Sequence, residues 1–226
     1  SRLLKEHSCL LVTNDIEPYC ETLNRCFLTN KSEVDYELIK SYIDFVNNKN
    51  NYSNCVKFIE KHYCPKNDSK IEPDERVFYT RKNGYIIDNI RTLIKNQIPQ
   101  AMTHHILAPL LVKASINANT SGIFNSFYKK DGVGHFGGKN DNSLDRIKKD
   151  IKLDYPLFSN NECPVIVKRE DINDLVKTIN SEIDREFDVV YYDPPYNKHP
   201  YGTFYFMLNV INNWDIDKPV PDNFRG

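Results

Sequence analysis

Residues 189–196 read Val-Val-Tyr-Tyr-Asp-Pro-Pro-Tyr, and this octapeptide constrains the chain more than any other part of it. The β-branched and aromatic run has the composition of a buried strand. The run stops at Asp193. Two consecutive prolines lack the N–H groups that a sheet ladder needs, and each holds the residue before it in extended geometry. The expectation is a strand over Phe187–Tyr192 that ends in a rigid turn. Open α/β sheets place their ligand sites at the carboxyl ends of strands. The turn offers one carboxylate, carbonyls without competing local donors, and an aromatic ring. That set suits an amino group on a flat heterocycle.

Two further segments repeat the pattern of strand followed by acid. Leu10–Asn14 reads as a short buried strand that stops at Asp15, and Pro18 suits the first turn of a helix running from Tyr19 to Leu28. Val165–Val167 is a second short strand. The helix Asp171–Ile183 follows it, with Ile172, Leu175, Val176, Ile179 and Ile183 on one side. The three strands are expected as parallel neighbours, with Asp15, Asp171 and Asp193 at one edge. On pattern alone, Asp15 reads first as a helix cap, and for Asp171 a cap and a site residue are equal readings. Thr203–Asn213 reads as one more helix.

Between these parts lies a long, mainly helical segment, residues 31–160. Ser32–Asn47 carries apolar residues at helical spacing, and Tyr52–Tyr63 reads as a second helix. Cys64–Pro73 is a polar loop. Asp74–Ile98 is expected to be largely helical, with a break near Asn83-Gly84. Met102–Ala118 is apolar enough to be buried, and His104 and His105 within it read as core or surface histidines rather than metal ligands. Asn119–Gly138 is an ordered loop rich in Gly, Asn and aromatic residues. It contains Gly132-Val133-Gly134-His135-Phe136-Gly137, which satisfies the dinucleotide-binding G-x-G-x-x-G letter for letter. That fingerprint must follow a strand and open a helix. This stretch follows Tyr128-Lys129-Lys130-Asp131 and leads into a polar run, so it is rejected as a cofactor loop.

Charge is unevenly distributed. From Arg76 to Asp150 there are 12 Lys/Arg against 5 Asp/Glu, whereas the remainder has 18 against 26. A basic middle in a chain of net charge −1 fits a polyanion-binding surface confined to one part; a solvated face of mixed charge is the other reading. The six cysteines form no C-x-x-C or zinc spacing, and none follows a proline. They read as thiols of a reducing compartment. No metal site is expected. With no signal peptide and no apolar run of spanning length, no membrane association is expected and the protein is placed in the cytoplasm.

Asp193-Pro194-Pro195-Tyr196 resembles the signature of amino-methyltransferases that act on adenine or cytosine in DNA. The continuation Asn197-Lys198-His199-Pro200-Tyr201-Gly202-Thr203-Phe204-Tyr205-Phe206 resembles the alpha-class DNA adenine-N6 methyltransferases more narrowly. Asn14-Asp15-Ile16-Glu17 is similar to that family's second motif, and residues 119–138 resemble the stretch bordering its target-base pocket. The resemblance implies an α/β fold: an incomplete Rossmann-like methyltransferase sheet, first and last strands missing, with a large helical target-recognition insertion. Residues 1–30 and 161–226 would form the catalytic domain and residues 31–160 the recognition region. It implies S-adenosylmethionine as cofactor, held by Asp15, Asp171 and Asp193. The substrate would be duplex DNA with a flipped adenine, and a restriction endonuclease of the same site is a candidate partner.

Asp193, Pro194, Pro195 and Tyr196 would be the catalytic residues. Asn119, Phe127, Tyr128, Lys129 and Lys130 would contact DNA. No glycine precedes Gly84, and Ser1–Lys5 reads as a helix whose beginning is absent. The expectation is therefore an internal fragment without the Gly-rich cofactor loop, inactive by itself. Cytosine-N4 methylation and a catalytically inactive DNA-binding remnant stand as the alternatives.

Overall fold

The computed structural model describes residues 1–53, 55–124, 126–184, 186–194 and 201–220, with the backbone alone at Lys139 and Tyr201. Its elements open with a one-turn helix α1 (Arg2–Lys5), strand β1 (Leu11–Asn14) and helix α2 (Pro18–Phe27). Pro18 starts α2 because its missing N–H falls where a helix has no internal acceptor to offer. Next come α3 (Tyr36–Asn47), the single turn α4 (Ile59–His62), and two long helices, α5 (Arg81–Gln97) and α6 (Thr103–Asn117). A short hairpin joins β2 (Lys129–Lys130) to β3 (Val133–Gly134), and α7 (Leu144–Lys148) follows. Strand β4 (Val165–Lys168) and helix α8 (Ile172–Ile183) restore the strand–helix alternation. Then come α9 (Tyr201–Phe204) and α10 (Phe206–Asn213).

The architecture is mixed α/β with few strands. β1 and β4 pair in parallel, from Leu11 opposite Val165 to Asn14 opposite Lys168. Both were expected from their apolar runs. The third expected strand, Phe187–Tyr192, is not formed. These residues are irregular, and Val189, Val190, Tyr191 and Tyr192 are all exposed. A strand exists only when a neighbour takes up its backbone groups, and among the described residues β1 and β4 pair with each other and not with this segment.

Most of the buried side chains form one core. Ile39 and Ile43 of α3, Ile86 and Ile90 of α5, Ile106 and Leu110 of α6, and Met207 and Ile211 of α10 belong to it. Tyr63, Phe78, Phe127 and Phe206 pack in its centre as edge-on or tilted rings with centroids 5.2–6.3 Å apart, the arrangement that ring quadrupoles favour. The middle segment and the C-terminal helix thus share buried surface. His105 is buried against Phe158 and beside His104, and burial lowers its pKa to about 4.

Two helical expectations are corrected by tertiary contacts. The helix predicted over Tyr52–Tyr63 is only the turn α4. Its start is fixed by Asp88 of α5, whose two carboxylate oxygens accept from Ile59 N at 2.8 Å and Glu60 N at 2.9 Å. The predicted break at Asn83-Gly84 lies inside α5, one turn after the cap at Thr80. Gly84 is there for close approach: a Cβ would lie 2.4 Å from Cys64 Sγ and 3.0 Å from Glu60 Cα. Asn83 reaches the chain around α7, donating to the carbonyls of Ile147 at 3.1 Å and Lys149 at 3.0 Å and accepting from Ile151 N at 3.0 Å. The rejected G-x-G-x-x-G is hairpin geometry. Asp131 (φ 52°) and Gly132 (φ 84°) make the turn between β2 and β3, where positive φ at both central residues matches the strand twist.

Two outcomes follow. In an open helix interior Gly→Ala stabilises by about 1 kcal/mol; Gly84→Ala should instead lower the urea midpoint, at a cost of about 1–3 kcal/mol for forcing α4 from α5. The second concerns pH. Burial pushes the Asp88 carboxyl up to about 7 from 3.8, against the pull of its backbone donors. The folded state therefore holds that proton more tightly, and Asp88 adds stability as pH falls from about 7 toward 3.8. His105 works in the opposite direction: folding favours its neutral form, so stability is lost as pH falls from 6.5 toward about 4. Asp88→Asn removes the first effect and leaves the second. Its urea midpoint should fall more steeply than that of the wild type between pH 7 and 4; parallel profiles would contradict the assignment.

Candidate active site at the strand ends

The carboxyl ends of β1 and β4 are locked together by Asn14. Its amide donates to the Glu170 carbonyl at 3.0 Å, and its carbonyl accepts from Glu170 N at 3.0 Å. The backbone N–H of Asp15 extends the ladder to the Lys168 carbonyl at 3.4 Å. The structure thus brings Asp15 and Asp171 to the same edge of a parallel pair, as expected. Asp15 is half-buried and its Oδ1 accepts from Glu17 N at 2.9 Å, a local turn that holds the carboxylate at the entry to α2. Asp171 is exposed and caps α8, its Oδ1 accepting from Asn173 N at 2.8 Å.

The segment after the Asp-Pro-Pro-Tyr motif folds back onto this edge. Asn209 of α10 donates through Nδ2 to Glu17 Oε2 at 2.5 Å and accepts at Oδ1 from Tyr19 N at 3.2 Å. One turn on, Asn212 accepts from Thr22 Oγ1 at 2.6 Å. The Tyr19 and Tyr205 rings lie 5.6 Å apart. At Gly202 a Cβ would come within 3.3 Å of Glu17 Oε1. Glu17, Tyr205 and Asn209 were not singled out from the sequence. The signal available was a pair of asparagines, Asn209 and Asn212, three residues apart in an apolar run that ends at Asn213, a spacing that places both on one helix face.

Burial raises the Tyr19 phenol well above its ordinary range, and its hydrogen bond with Cys20 raises it further. Burial also pushes the Cys20 thiol up to about 12, with the nearby Asp15 charge adding to the shift. Both groups stay neutral at physiological pH. The edge is accordingly acidic, with Asp15 and Glu17 beside a neutral phenol and a neutral thiol, an environment that favours a cationic ligand carrying hydroxyl donors.

Asp193 and Pro194 are exposed. Pro195 and Tyr196 lie outside the described residues. The loop over residues 119–138 is tied to the segment beyond them, since Phe124 N donates to the Phe204 carbonyl at 2.6 Å. Within that loop the structure corrects two of the five expected DNA contacts. Asn119 is fully buried, donating to the carbonyls of Val77 at 2.8 Å and His135 at 2.9 Å and accepting from Gly137 N at 3.4 Å. Phe127 is buried edge-on against Phe78. A glycine-rich loop has few side chains of its own to anchor it, so these two do that work from inside. Tyr128 is half-buried against Gly138. Lys129 and Lys130 are exposed on β2, with the Lys129 ammonium 5.2 Å over the Phe127 ring. Among the described residues no cluster of His, Cys, Asp and Glu could hold a metal ion, and no helix is long and apolar enough to cross a membrane.

Residues 4–224 match the family described as D12 class N6 adenine-specific DNA methyltransferase. The chain is 28% identical over 225 residues to the type II methyltransferase M.NlaIII of Neisseria lactamica, covering 96% of this chain and 58% of that protein. It is 25% identical over 215 residues to the type II methyltransferase M.CviAII of Paramecium bursaria Chlorella virus 1, covering 92% and 55%. To the modification methylase LlaI of Lactococcus lactis subsp. lactis it is 23% identical over 215 residues, covering 91% and 31%. The chain therefore spans little more than half the length of the first two relatives and about a third of the last. No solved structure matches.

The contact between Glu17 and Asn209 is open to a direct check. Asn209→Asp would set a second carboxylate against Glu17 Oε2, and one of the pair would then ionise only with difficulty. The folded pKa of the pair rises above its unfolded value, so the loss of stability should be full at pH 8 and recovered as pH falls to 5. Thermal melts of the variant and the wild type should converge on acidification. An equal gap at both pH values would place residue 209 away from Glu17.

Proposed function

Because this chain belongs to the D12 class N6 adenine-specific DNA methyltransferase family, we propose that the whole enzyme transfers a methyl group from S-adenosylmethionine to the exocyclic amino group of adenine in a specific duplex DNA sequence. The observation that carries this reading is the family match, which runs over nearly the whole chain and includes Asp193-Pro194-Pro195-Tyr196. The relatives' names, type II methyltransferase and modification methylase, support a restriction-modification setting with a nuclease partner of the same specificity. In this reading β1 and β4 are neighbours in a Rossmann-like sheet. Residues 1–30 and 161–226 form the catalytic part, and residues 31–160 the helical recognition part.

The residues at the strand ends fit the cofactor. The half-buried Asp15 carboxylate is placed to accept from ribose hydroxyls at a strand tip, and the acidic edge favours a positively charged ligand. Asp171 joins the set by its position after β4. When bound, S-adenosylmethionine supplies an electrophilic methyl group on a sulfonium. The adenine amino nitrogen is a poor nucleophile, because its lone pair is delocalised into the ring. Asp193 and the Pro194 carbonyl accept from that amino group, favour a pyramidal nitrogen and orient it. Tyr196 stacks on the base, which has left the helix at a cost of a few kcal/mol. Lys129 and Lys130, on the loop tied to α9, neutralise backbone phosphates.

The test is transfer of labelled methyl groups to duplex DNA by the intact enzyme, followed by digestion and identification of the modified base. N6-methyladenine is expected, and N4-methylcytosine would overturn the reading. Asp193→Ala should abolish transfer. Tyr196→Ala should weaken base capture by about 1–3 kcal/mol of stacking, and Tyr196→Phe, which keeps the ring, should cost much less. Replacing Lys129 and Lys130 with Gln should weaken binding to all sequences alike and reduce the salt slope by about 0.9 for each phosphate no longer neutralised. An unchanged slope would show that neither lysine meets DNA.

A further inference from the structure

Arg91 lies midway along α5 and is only 6% exposed. Its Nη2 donates to the Asn212 carbonyl at 3.3 Å, at the carboxyl end of α10, where the helix dipole favours a cation. The Trp214 ring lies 5.2 Å from its Cζ and offers partial compensation. Neither contact uses Nε, which is buried and has no partner among the described residues. Burial lowers the guanidinium pKa to about 10, so it remains charged at neutral pH, and among the described residues no carboxylate pairs with it. A buried cation without a counterion is costly, and so is a buried donor without an acceptor.

Arg91 lines a cavity of about 740 Å³ between α5, the start of α6 and the end of α10. Lys95, Gln100, Thr103, Trp214 and Lys218 also line it. Of the acids at its rim, Asp215 is engaged by Lys218 at 2.6 Å, and Asp217 remains. The volume suits a small molecule. A concave site over a recessed guanidinium does not suit the convex backbone of a duplex. A carboxylate presents two oxygens and a phosphate three or more, and here an arginine, a lysine and a threonine line one space. The planar Arg fork matches phosphate geometry.

We propose that this cavity is a binding site for a small phosphorylated anion, of mononucleotide size or less, held by Arg91, Lys95 and Thr103. The site contains none of the residues assigned above to the strand-end reaction, so it stands independently of that assignment.

Trp214 is the only tryptophan in the chain, so its emission reports on this site directly. The full chain is titrated with inorganic phosphate, with AMP and with a duplex oligonucleotide, each against sodium chloride of equal ionic strength. Phosphate or AMP should give a saturable change that salt does not. Arg91→Met should weaken it about 10- to 100-fold, the loss expected of a charged hydrogen bond. Lys95→Gln and Thr103→Val change rim positions outside the core. They should each weaken binding several-fold with unchanged circular dichroism, and they decide the matter if Arg91→Met fails to fold. The proposal is overturned if neither small anion gives a saturable response, if only the duplex does, or if the rim variants bind as tightly as the wild type.

Discussion

His105 through Leu111 of α6 are all buried, and two turns of helix without an exposed face can exist only inside other helices. Helices α2, α3, α5, α7 and α10 all pack against α6, and the placement of the strand tip and of α10 follows from that burial. Because α2 lies on α6, the tip of β1 is set relative to the helical core. Because α10 lies on both, the segment beyond Asp193 is brought to the same tip. The two-stranded sheet is peripheral to this arrangement, and its own cluster is small: Leu11, Leu28 and Cys163, with Val165 against them. The geometry of the candidate site is thus inherited from a helix that contributes no residue to it.

What could be read from the sequence was what period and local chemistry encode. The strands at Leu11–Asn14 and Val165–Lys168, the apolar stripe of α3 and the amphipathic α8 all appear where the pattern put them. What could not be read depends on contacts distant in sequence. Asp88 caps α4 from another helix, so nothing beside Ile59 signals a helix start. Asn83-Gly84 has the composition of a turn, yet it is the place where α5 lets Cys64 and Glu60 come close. Asn119 has the composition of a polar surface loop, but its amide is engaged by backbone groups of residues 77, 135 and 137. The bonds between Glu17 and Asn209 join positions that no local rule connects. Val189–Tyr192 shows the opposite failure: local composition was strand-like, and no described neighbour pairs with it.

The charge asymmetry acquires a spatial meaning. The excess of basic residues lies in the middle of the chain, and exposed Lys129 and Lys130 stand on the loop that is hydrogen-bonded to Phe204. The excess of acid lies outside that part, and at the strand ends Asp15 and Glu17 face a phenol and a thiol kept neutral by burial. One short stretch, α9 and the start of α10, is thus tied both to the loop that carries the lysines, through Phe124 on Phe204, and to the acidic strand edge, through Asn209 on Glu17.

The β1–β4 pairing also bears on how the molecule assembles. Leu11 meets Val165 across most of the chain, and four residue pairs are a small return for closing so long a loop. Such a contact adds to the contact order of a fold whose helices also meet far along the chain, α2 with α6 and with α10. With four pairs and so small a cluster of its own, the strand edge with Asp15 is expected to form late in folding. By the same reasoning it is among the first parts to open in native-state fluctuations, ahead of the helical core on which it rests.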